Sequence, residues 1–277
     1  MEIYLAKEMG FCSGVRRAIR IAEEALGELG RIKSLGPIVH NRQVVSRLAK
    51  QGLEVVESLE EVGGGTVFIP SHGAGLEVLR ELEERGLKLI DATCPIVRRA
   101  QKVAQRLHRG NFLVLVFGES QHSEVRGIIS WAGGEAMAAL EAPRFDPPPR
   151  QLGVLSQTTQ SLKKFGHFLA ELLSHNLDSL AELRIFNTIC QATSKRQAAA
   201  LELAGKVDQM IVIGGYDSAN TNRLAEICSS VVPTLHIESA AELDPGSLAA
   251  KRIGVTAGAS TPDWVIQEVV EKLRSLA

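Results

Sequence analysis

Short apolar runs alternate along the whole chain with longer segments in which apolar or alanine positions recur at helical spacing. The runs, of which FLVLVF, QMIVI and RIGVTA are examples, predict buried strands, and the spacing predicts amphipathic helices. Strands that alternate with helices indicate an α/β fold with parallel sheets. In such sheets ligands bind beyond the carboxyl ends of the strands, so the polar turns after the strands are the first place to look for chemistry.

A pattern of strand, cysteine and helix occurs three times, at Cys12, Cys94 and Cys190. A second strand and polar turn follow 28 residues after each cysteine, at His40, His122 and Ser218. A third strand and turn follow 60, 64 and 70 residues after the cysteines, at His72, Thr158 and Ser260. The equal first offsets predict three repeated βαβαβ units.

We expect three domains, because 277 residues exceed what one hydrophobic core usually organises. The predicted units are residues 10–93, preceded by an N-terminal strand at 1–9, residues 94–187 and residues 188–277. The proline-rich stretch at 141–150 is predicted to be a surface loop inside the second unit. If the units pack around a pseudo-threefold axis, the fold is a trefoil whose strand ends surround a central cavity.

Composition narrows the classes of function. The formal charge is −1 and both signs are interspersed, which disfavours nucleic-acid and anionic-membrane partners. We find no signal peptide and no membrane span, and therefore expect a cytoplasmic protein. Four cysteines in a reducing compartment favour metal binding or catalysis over disulfides.

The repeat supplies three cysteines and no fourth protein ligand, which favours a metal centre with one open coordination position. A structural zinc site normally has four protein ligands in closely spaced pairs, whereas an iron–sulfur cube held through three irons leaves the fourth iron open to substrate. Cys228 lies outside the repeat and is expected to pack in a core.

The polar turns around the cysteines suit a phosphate-rich anion, because helix N-termini and neutral donors bind phosphate. The predicted donors are His40, His72, His122, Thr158, Ser218, Asn220 and Ser260. Glu124, two residues after His122, is the predicted proton donor. The arginines that follow the cysteines, such as Arg17 and Arg98, are assigned no chemistry.

Nine motifs, in order, resemble those of the 4-hydroxy-3-methylbut-2-enyl diphosphate reductase family, also called IspH or LytB. They are GFCSGV, GPIVHN, SHG, DATCP, HSEV, SQTT, TICQAT, SANTNRL and TAGAS, and they span nearly the whole chain. The resemblance implies a trefoil around an oxygen-sensitive [4Fe-4S] cluster with one open iron and the ligands Cys12, Cys94 and Cys190.

The resemblance also implies the reaction, the last step of the methylerythritol phosphate route to isoprenoids. The substrate hydroxyl is removed reductively to give isopentenyl and dimethylallyl diphosphate, with electrons from ferredoxin or flavodoxin. The histidines, Ser218, Asn220 and Ser260 would bind the diphosphate, and Glu124 with Thr158 would relay the proton. A monomer is expected.

The sequence departs from the family pattern at Gln121, Ser123 and Ala219, and the last change removes one possible diphosphate hydrogen bond. Two other readings stay open at this stage. One is a cluster-dependent dehydratase or lyase acting on another anionic substrate. The other is a non-enzymatic protein that binds a cluster or zinc.

Overall fold

The computed structural model describes residues 1–248 and 250–276, and within them the chain forms twelve strands and nine α-helices. The strands are β1 (Glu2–Leu5), β2 (Ile32–Leu35), β3 (Leu53–Val56), β4 (Thr66–Ile69), β5 (Lys88–Asp91), β6 (Leu113–Phe117), β7 (Met137–Ala139), β8 (Gln151–Ser156), β9 (Glu182–Phe186), β10 (Gln209–Ile213), β11 (Thr234–Ile237) and β12 (Arg252–Ala257). The helices are α1 (Ser13–Leu29), α2 (Arg42–Ala49), α3 (Leu76–Glu84), α4 (Pro95–Arg109), α5 (Ser123–Trp131), α6 (Leu162–Asn176), α7 (Gln191–Ala204), α8 (Ala219–Ser229) and α9 (Asp263–Ser275). Short 3-10 turns cover Leu59–Glu61, Leu177–Ser179, Ala240–Glu242 and Pro245–Ser247.

The strands form three sheets of four, and every pairing is parallel. Their orders are β11-β10-β12-β1, β3-β2-β4-β5 and β7-β6-β8-β9. In these orders the three sheets have the same connectivity. The last strand of each, β1, β5 or β9, leads to one of the repeated cysteines. The predicted α/β class with parallel sheets and the predicted repetition are confirmed.

Two details differ from the sequence prediction. Each sheet has a strand beyond the three predicted, namely β3, β7 and β11, because these short strands are too weakly apolar to stand out from loops. In addition β1, grouped above with the unit that follows it in the chain, pairs with β12, from Glu2 beside Arg252 to Leu5 beside Val255. Strand pairing is a long-range choice that the local pattern does not report.

Helix α4 shows how the local sequence sets an element. Pro95 occupies its first turn, where a missing N–H costs nothing, and the helix ends at Arg109, with Gly110 as the C-cap. One face is buried through Val97, Ala100, Val103, Ala104 and Leu107, and after Pro95 the exposed residues are all basic. This amphipathic pattern seats the helix on β6 and β8 with its basic face outward.

The cores lie between each sheet and its helices. On β10 and β12, Ile211 and Val255 pack with Val265 and Leu273 of α9. On β6, Phe117 stacks with Phe165 and Phe168 of α6, with ring centroids 5.5 and 4.8 Å apart. Each such buried side chain contributes about 2 kcal/mol of transfer free energy, which holds the strand ends in fixed positions.

The chain divides into two compact units. The first unit, as the term is used from here on, comprises residues 1–16, 39–47 and 191–277 and contains the sheet of β1, β10, β11 and β12. The second unit comprises residues 17–38 and 48–190 and contains the other two sheets. The stretch 141–150 forms neither helix nor strand, as predicted. No helix in the described part of the chain combines the length and apolarity needed to cross a membrane.

Candidate active site

The predicted site residues follow the carboxyl ends of neighbouring strands. In the first unit β1 leads to Cys12, β12 to Ser260 and β10 to Ser218. In the sheet β7-β6-β8-β9, β9 leads to Cys190, β8 to Thr158 and β6 to His122. Carboxyl ends of parallel strands share one edge of a sheet, so each of these two sets lies along a single edge.

The remaining set follows the same order along the chain. Strand β5 leads to Cys94 and β4 to His72, both in the second unit. Strand β2 leads to His40, which belongs to the segment 39–47 of the first unit. All nine predicted turns therefore follow strands, as the repeat requires.

The three repeated cysteines have the same backbone anchor. Each donates its N–H to a carbonyl in the turn after the adjacent strand: Cys12 to Ala259 at 3.1 Å, Cys94 to Ser71 at 2.9 Å and Cys190 to Thr158 at 2.9 Å. All three are partly exposed, and none of the four cysteines forms a disulfide. The anchors hold the three thiols at equivalent places in the repeat.

Cys228 behaves differently, as predicted. It is fully buried in the core of the first unit beside Leu224 and Val212. Burial raises the pKa of its thiol to about 12. Because a thiol with so high a pKa is protonated at neutral pH, Cys228 is an inert core residue.

Two arginines that recur in the sequence pattern, and to which it assigned no role, hold the loops that precede cysteines. Arg17 donates from Nη1 to the carbonyls of Ala92 and Thr93, at 3.2 and 3.3 Å, just before Cys94. Arg196 is buried and donates from Nη2 to the carbonyl of Gly10 at 2.8 Å. The signal in the sequence was the recurrence of arginine after each cysteine; the partner carbonyls lie far away along the chain.

Glu124 is buried and bound at both oxygens by one residue. Thr158 donates its backbone N–H to Oε1 at 2.7 Å and its hydroxyl to Oε2 at 2.8 Å. Burial raises the pKa of this carboxyl to about 7, and the two hydrogen bonds from Thr158 oppose the rise. A carboxyl that titrates near neutral pH is suited to give and take a proton.

His122 caps helix α5 through the backbone of the same glutamate. Its Nδ1 accepts the backbone N–H of Glu124 at 3.2 Å. An acceptor Nδ1 carries no proton, so Nε2 is the ring nitrogen that can donate a hydrogen bond. The interaction links the predicted anion donor His122 directly to the predicted proton donor.

The first unit contains a second cluster of buried polar groups. Ser218 caps helix α8 and accepts the N–H of Thr221 at 3.4 Å, and Ser260 donates to the carbonyl of His40 at 3.2 Å. Burial lowers the pKa of His40, and the charge of Asp217 opposes the shift. The arrangement combines hydroxyl groups, a ring nitrogen and a helix N-terminus.

Asn220 gives the most direct indication of a ligand in this cluster. It is 5% exposed, and neither Oδ1 nor Nδ2 has a hydrogen-bond partner among the described residues. A buried amide without partners costs about 1–3 kcal/mol, so its retention fits a ligand that accepts and donates hydrogen bonds there. A diphosphate with a bound water or proton meets that need.

At the carboxyl ends of β10 and β12, two positions have room only for glycine. A Cβ at Gly258, after β12, would lie 2.0 Å from Oγ1 of Thr221, and one at Gly214, after β10, would lie 2.8 Å from the same atom. Neither distance is compatible with a side chain. With no side chain in the way, the backbone N–H groups of both glycines bind neighbouring strand carbonyls, Gly214 that of Ile237 and Gly258 that of Ile213, each at 2.9 Å.

The three departures from the family motifs have distinct settings. Gln121 is exposed and Ser123 is the first residue of α5, with a buried hydroxyl that has no partner among the described residues. Ala219 is the first residue of α8, next to the cap Ser218. Residue 219 therefore adds no hydroxyl to that of Ser218 at the N-terminus of α8.

The donor set fits an iron–sulfur cluster in its chemistry. Three equivalently anchored, partly exposed thiols offer the soft ligands that iron–sulfur clusters take. Within residues 1–248 and 250–276, no three His, Cys, Asp or Glu side chains are grouped around a common metal position. The identity of the ligands is therefore a proposal that depends on the repeat and on the relatives described next.

Comparisons with known proteins agree along the whole chain. The model of the LytB protein family matches residues 3–274. A 4-hydroxy-3-methylbut-2-enyl diphosphate reductase of Dehalococcoides mccartyi (strain ATCC BAA-2266 / KCTC 15142 / 195) is 46% identical over 281 aligned positions, covering 100% of this chain and 99% of that protein. One of Geobacter metallireducens is 47% identical and covers 100% of this chain and 98% of that protein.

Two solved structures are similar. The structure of (E)-4-hydroxy-3-methyl-but-2-enyl diphosphate reductase, described as the terminal enzyme of the non-mevalonate pathway, superposes with a TM-score of 0.70 at 38% identity and covers 99% of this chain and 100% of that one. The E-1-hydroxy-2-methyl-but-2-enyl-4-diphosphate reductase of Plasmodium falciparum gives a TM-score of 0.90 at 28% identity, covering 98% and 87%.

Proposed function

The chain belongs to the LytB protein family, and we propose that it reduces (E)-4-hydroxy-3-methylbut-2-enyl diphosphate to isopentenyl diphosphate and dimethylallyl diphosphate. This is an iron–sulfur oxidoreductase of isoprenoid biosynthesis. The structural observation that carries the proposal is the buried carboxyl of Glu124, bound at both oxygens by Thr158, whose carbonyl in turn binds the N–H of Cys190. A proton donor and a candidate cluster ligand are thus joined through one residue.

We assign the cluster ligands to Cys12, Cys94 and Cys190 and the cluster to the [4Fe-4S] type with one iron open. When bound, such a cluster supplies electrons and a Lewis-acidic iron for the substrate oxygen. The chain's own contribution is to hold three loops rigidly. The backbone anchors of the cysteines, together with Arg17 and Arg196, support that role.

The diphosphate is held by donors from the turns, and each is a neutral or weakly basic group. These are His40, His72, His122, Ser218, Asn220 and Ser260. Binding of the diphosphate satisfies the buried amide of Asn220 and places the anion at the N-terminus of α8. Fixing the charged end orients the other end of the substrate, which carries the hydroxyl that leaves.

Protonation of the leaving hydroxyl is the role of Glu124 and Thr158. In the ionised carboxylate Oε2 accepts the hydroxyl of Thr158. Since Oε1 accepts the backbone N–H of Thr158, the proton of the acid form resides on Oε2, and the Thr158 hydroxyl then donates toward the substrate instead. Oε2 gives its proton to Oγ1, and the Thr158 hydroxyl gives its own proton to the substrate. The C–O bond breaks, water leaves, and two electrons with a second proton at carbon complete the reduction.

The electron donor is proposed to be a ferredoxin or a flavodoxin, and the protein is proposed to act as a cytoplasmic monomer. The dehydratase and the non-enzymatic readings are not favoured, because the full-length relatives carry the name of the reductase. A dehydratase would also transfer no net electrons, which a donor-dependent assay distinguishes directly.

The test is anaerobic reconstitution with iron and sulfide, followed by turnover of the hydroxylated diphosphate with reduced methyl viologen. We expect a brown protein that forms both products. Glu124→Gln should remove most of this activity. Glu77→Gln is the matched control, because Glu77 is also an acid in a first helical turn, that of α3, but is exposed. A brown wild-type protein without turnover would contradict the proposed substrate, and a colourless one would contradict the cluster.

A further inference from the structure

A basic groove of about 660 Å³ runs along helix α4 in the second unit. Its lining includes Pro95, Arg98, Arg99, Lys102, Arg106 and Phe186. Four cations therefore line one open groove, although the whole chain has a net charge of −1. The groove plays no part in the binding or proton-transfer roles described above.

Most of this charge is not neutralised within the protein. Arg99, Lys102 and Arg106 are exposed, and none of them forms an ion pair with a described residue. Arg98 is the exception, since it pairs with Asp91 and lies over the ring of Trp131. Helix α4 contains no acidic residue at all.

The spacing of the cations has an energetic cost. Arg99, Lys102 and Arg106 are three and four residues apart, so their side chains are neighbours on one helix face, and like charges at that spacing destabilise a helix. Arg106 is further held with its guanidinium 4.9 Å from the ring centroid of Phe186. A row of repelling charges on a helix that is otherwise well packed fits a surface that meets an anionic partner.

Two residues of the lining are close in sequence to candidate cluster ligands. Pro95 directly follows Cys94 and starts α4, and Phe186 ends β9, four residues before Cys190. Both segments of the second unit that carry candidate cluster ligands therefore contribute to the lining of the groove. Because electron transfer slows steeply with distance, a carrier bound here would be placed next to the two polypeptide segments nearest the electron acceptor.

We propose that the face of α4 formed by Arg99, Lys102 and Arg106, with Phe186, is the docking surface for an acidic electron-carrier protein. This inference depends on the proposed function, because a reductase needs such a donor. Charge complementarity steers encounter and raises association rates, and redox complexes are typically small and transient. An open, shallow groove with local positive charge on a nearly neutral protein has these properties.

The test compares two electron sources on the reconstituted holoenzyme. One source is an acidic flavodoxin kept reduced by its NADPH-dependent reductase, and the other is reduced methyl viologen, which needs no docking surface. The variant is R99Q/K102Q/R106Q. The matched control is R31Q/K50Q/K163Q, which removes the same charge from exposed positions elsewhere.

We expect the KM for flavodoxin to rise about tenfold or more in the α4 variant at low salt, and to change less than about twofold in the control. The viologen rate and the cluster absorbance of both should match wild type. The wild-type KM should also rise with salt, whereas that of the α4 variant should respond weakly. An unchanged KM in the α4 variant, or an equal rise in the control, would overturn the proposal.

Two further measurements keep this inference separate from the proposed function. If the wild-type protein fails to reduce the hydroxylated diphosphate even with viologen, the function is wrong, and docking is then measured by the rate at which reduced flavodoxin bleaches the cluster without substrate. If the triple variant loses its cluster, the single variants R99Q, K102Q and R106Q are measured in the same way. No rise in KM in any of them would overturn the proposal.

Discussion

Thr158 binds both carboxylate oxygens of Glu124, through its backbone N–H at 2.7 Å and its hydroxyl at 2.8 Å, across 34 residues of sequence. The pair lies at the carboxyl edge of β6 and β8, and the carboxyl is 3% exposed. Since burial raises its pKa to about 7, Glu124 exchanges its proton near neutral pH. Most of the following predictions arise from this geometry or from the anchors of the cysteines.

The first prediction concerns the pH dependence of turnover. If protonated Glu124 is the acid, kcat with reduced viologen should be constant below its pKa of about 7 and fall as pH rises beyond it. Glu124→Gln should lower kcat by about 10²-fold or more and flatten the profile. A Gln variant that keeps the wild-type profile would assign the titration to another group.

A second prediction is that the same carboxyl makes stability depend on pH. Its pKa is raised in the folded state, so the unfolded chain loses this proton first, and stability falls as pH rises from about 4.5 to about 7. The full effect is at most about 3 kcal/mol. The melting temperature of holo Glu124→Gln minus that of the holo wild type should therefore be higher at pH 8 than at pH 5. A difference that does not change with pH would contradict the buried acid.

A third prediction separates the hydroxyl of Thr158 from its backbone. Thr158→Val keeps the N–H to Glu124 and the carbonyl to Cys190 but removes the relay, so kcat should fall about 10²-fold while the cluster absorbance stays normal. Thr158→Ser should retain most activity. Loss of the cluster in the Val variant would show that the side chain acts structurally instead.

A fourth prediction tests the arginine that holds the loop before Cys12. In Arg196→Met the carbonyl of Gly10 loses its 2.8 Å partner, at a cost of about 1–3 kcal/mol for a buried group. We expect less iron per protein and faster loss of the cluster in air. Lys195→Met is the control, because Lys195 is the exposed neighbour on the same helix. Equal iron contents in the two variants would remove Arg196 from this role.

A fifth prediction compares the cysteines. Cys12→Ala should abolish stable cluster binding and turnover, because a ligand thiol is lost. Cys228→Ala should remain brown and active and lose only about 1 kcal/mol of stability, as a small truncation in a packed core does. Iron content and anaerobic melting temperature measure both effects. A colourless Cys228→Ala would show that this cysteine also serves the cluster.

The arrangement of Asn220 shows where prediction from sequence succeeds and where it stops. Its motif, two residues after the cap Ser218, identified it as a ligand donor. Its burial without a partner among the described residues, which is the physical reason to expect a ligand there, was visible only in three dimensions. The same holds for Arg17, whose recurrence was plain but whose target carbonyls at Ala92 and Thr93 were not.

The sequence by itself determined the alternation of helices with strands other than β3, β7 and β11, the threefold repeat and the place of Cys12, Cys94 and Cys190 in it, because apolar periodicity and turn residues act over a few neighbouring positions. Only the tertiary structure decided that β1 joins β12, that β3, β7 and β11 complete the sheets, and that Thr158 encloses the carboxylate of Glu124. These are contacts between distant parts of the chain. Their free energy depends on which surfaces meet in the folded protein, and no local pattern of residues reports that choice.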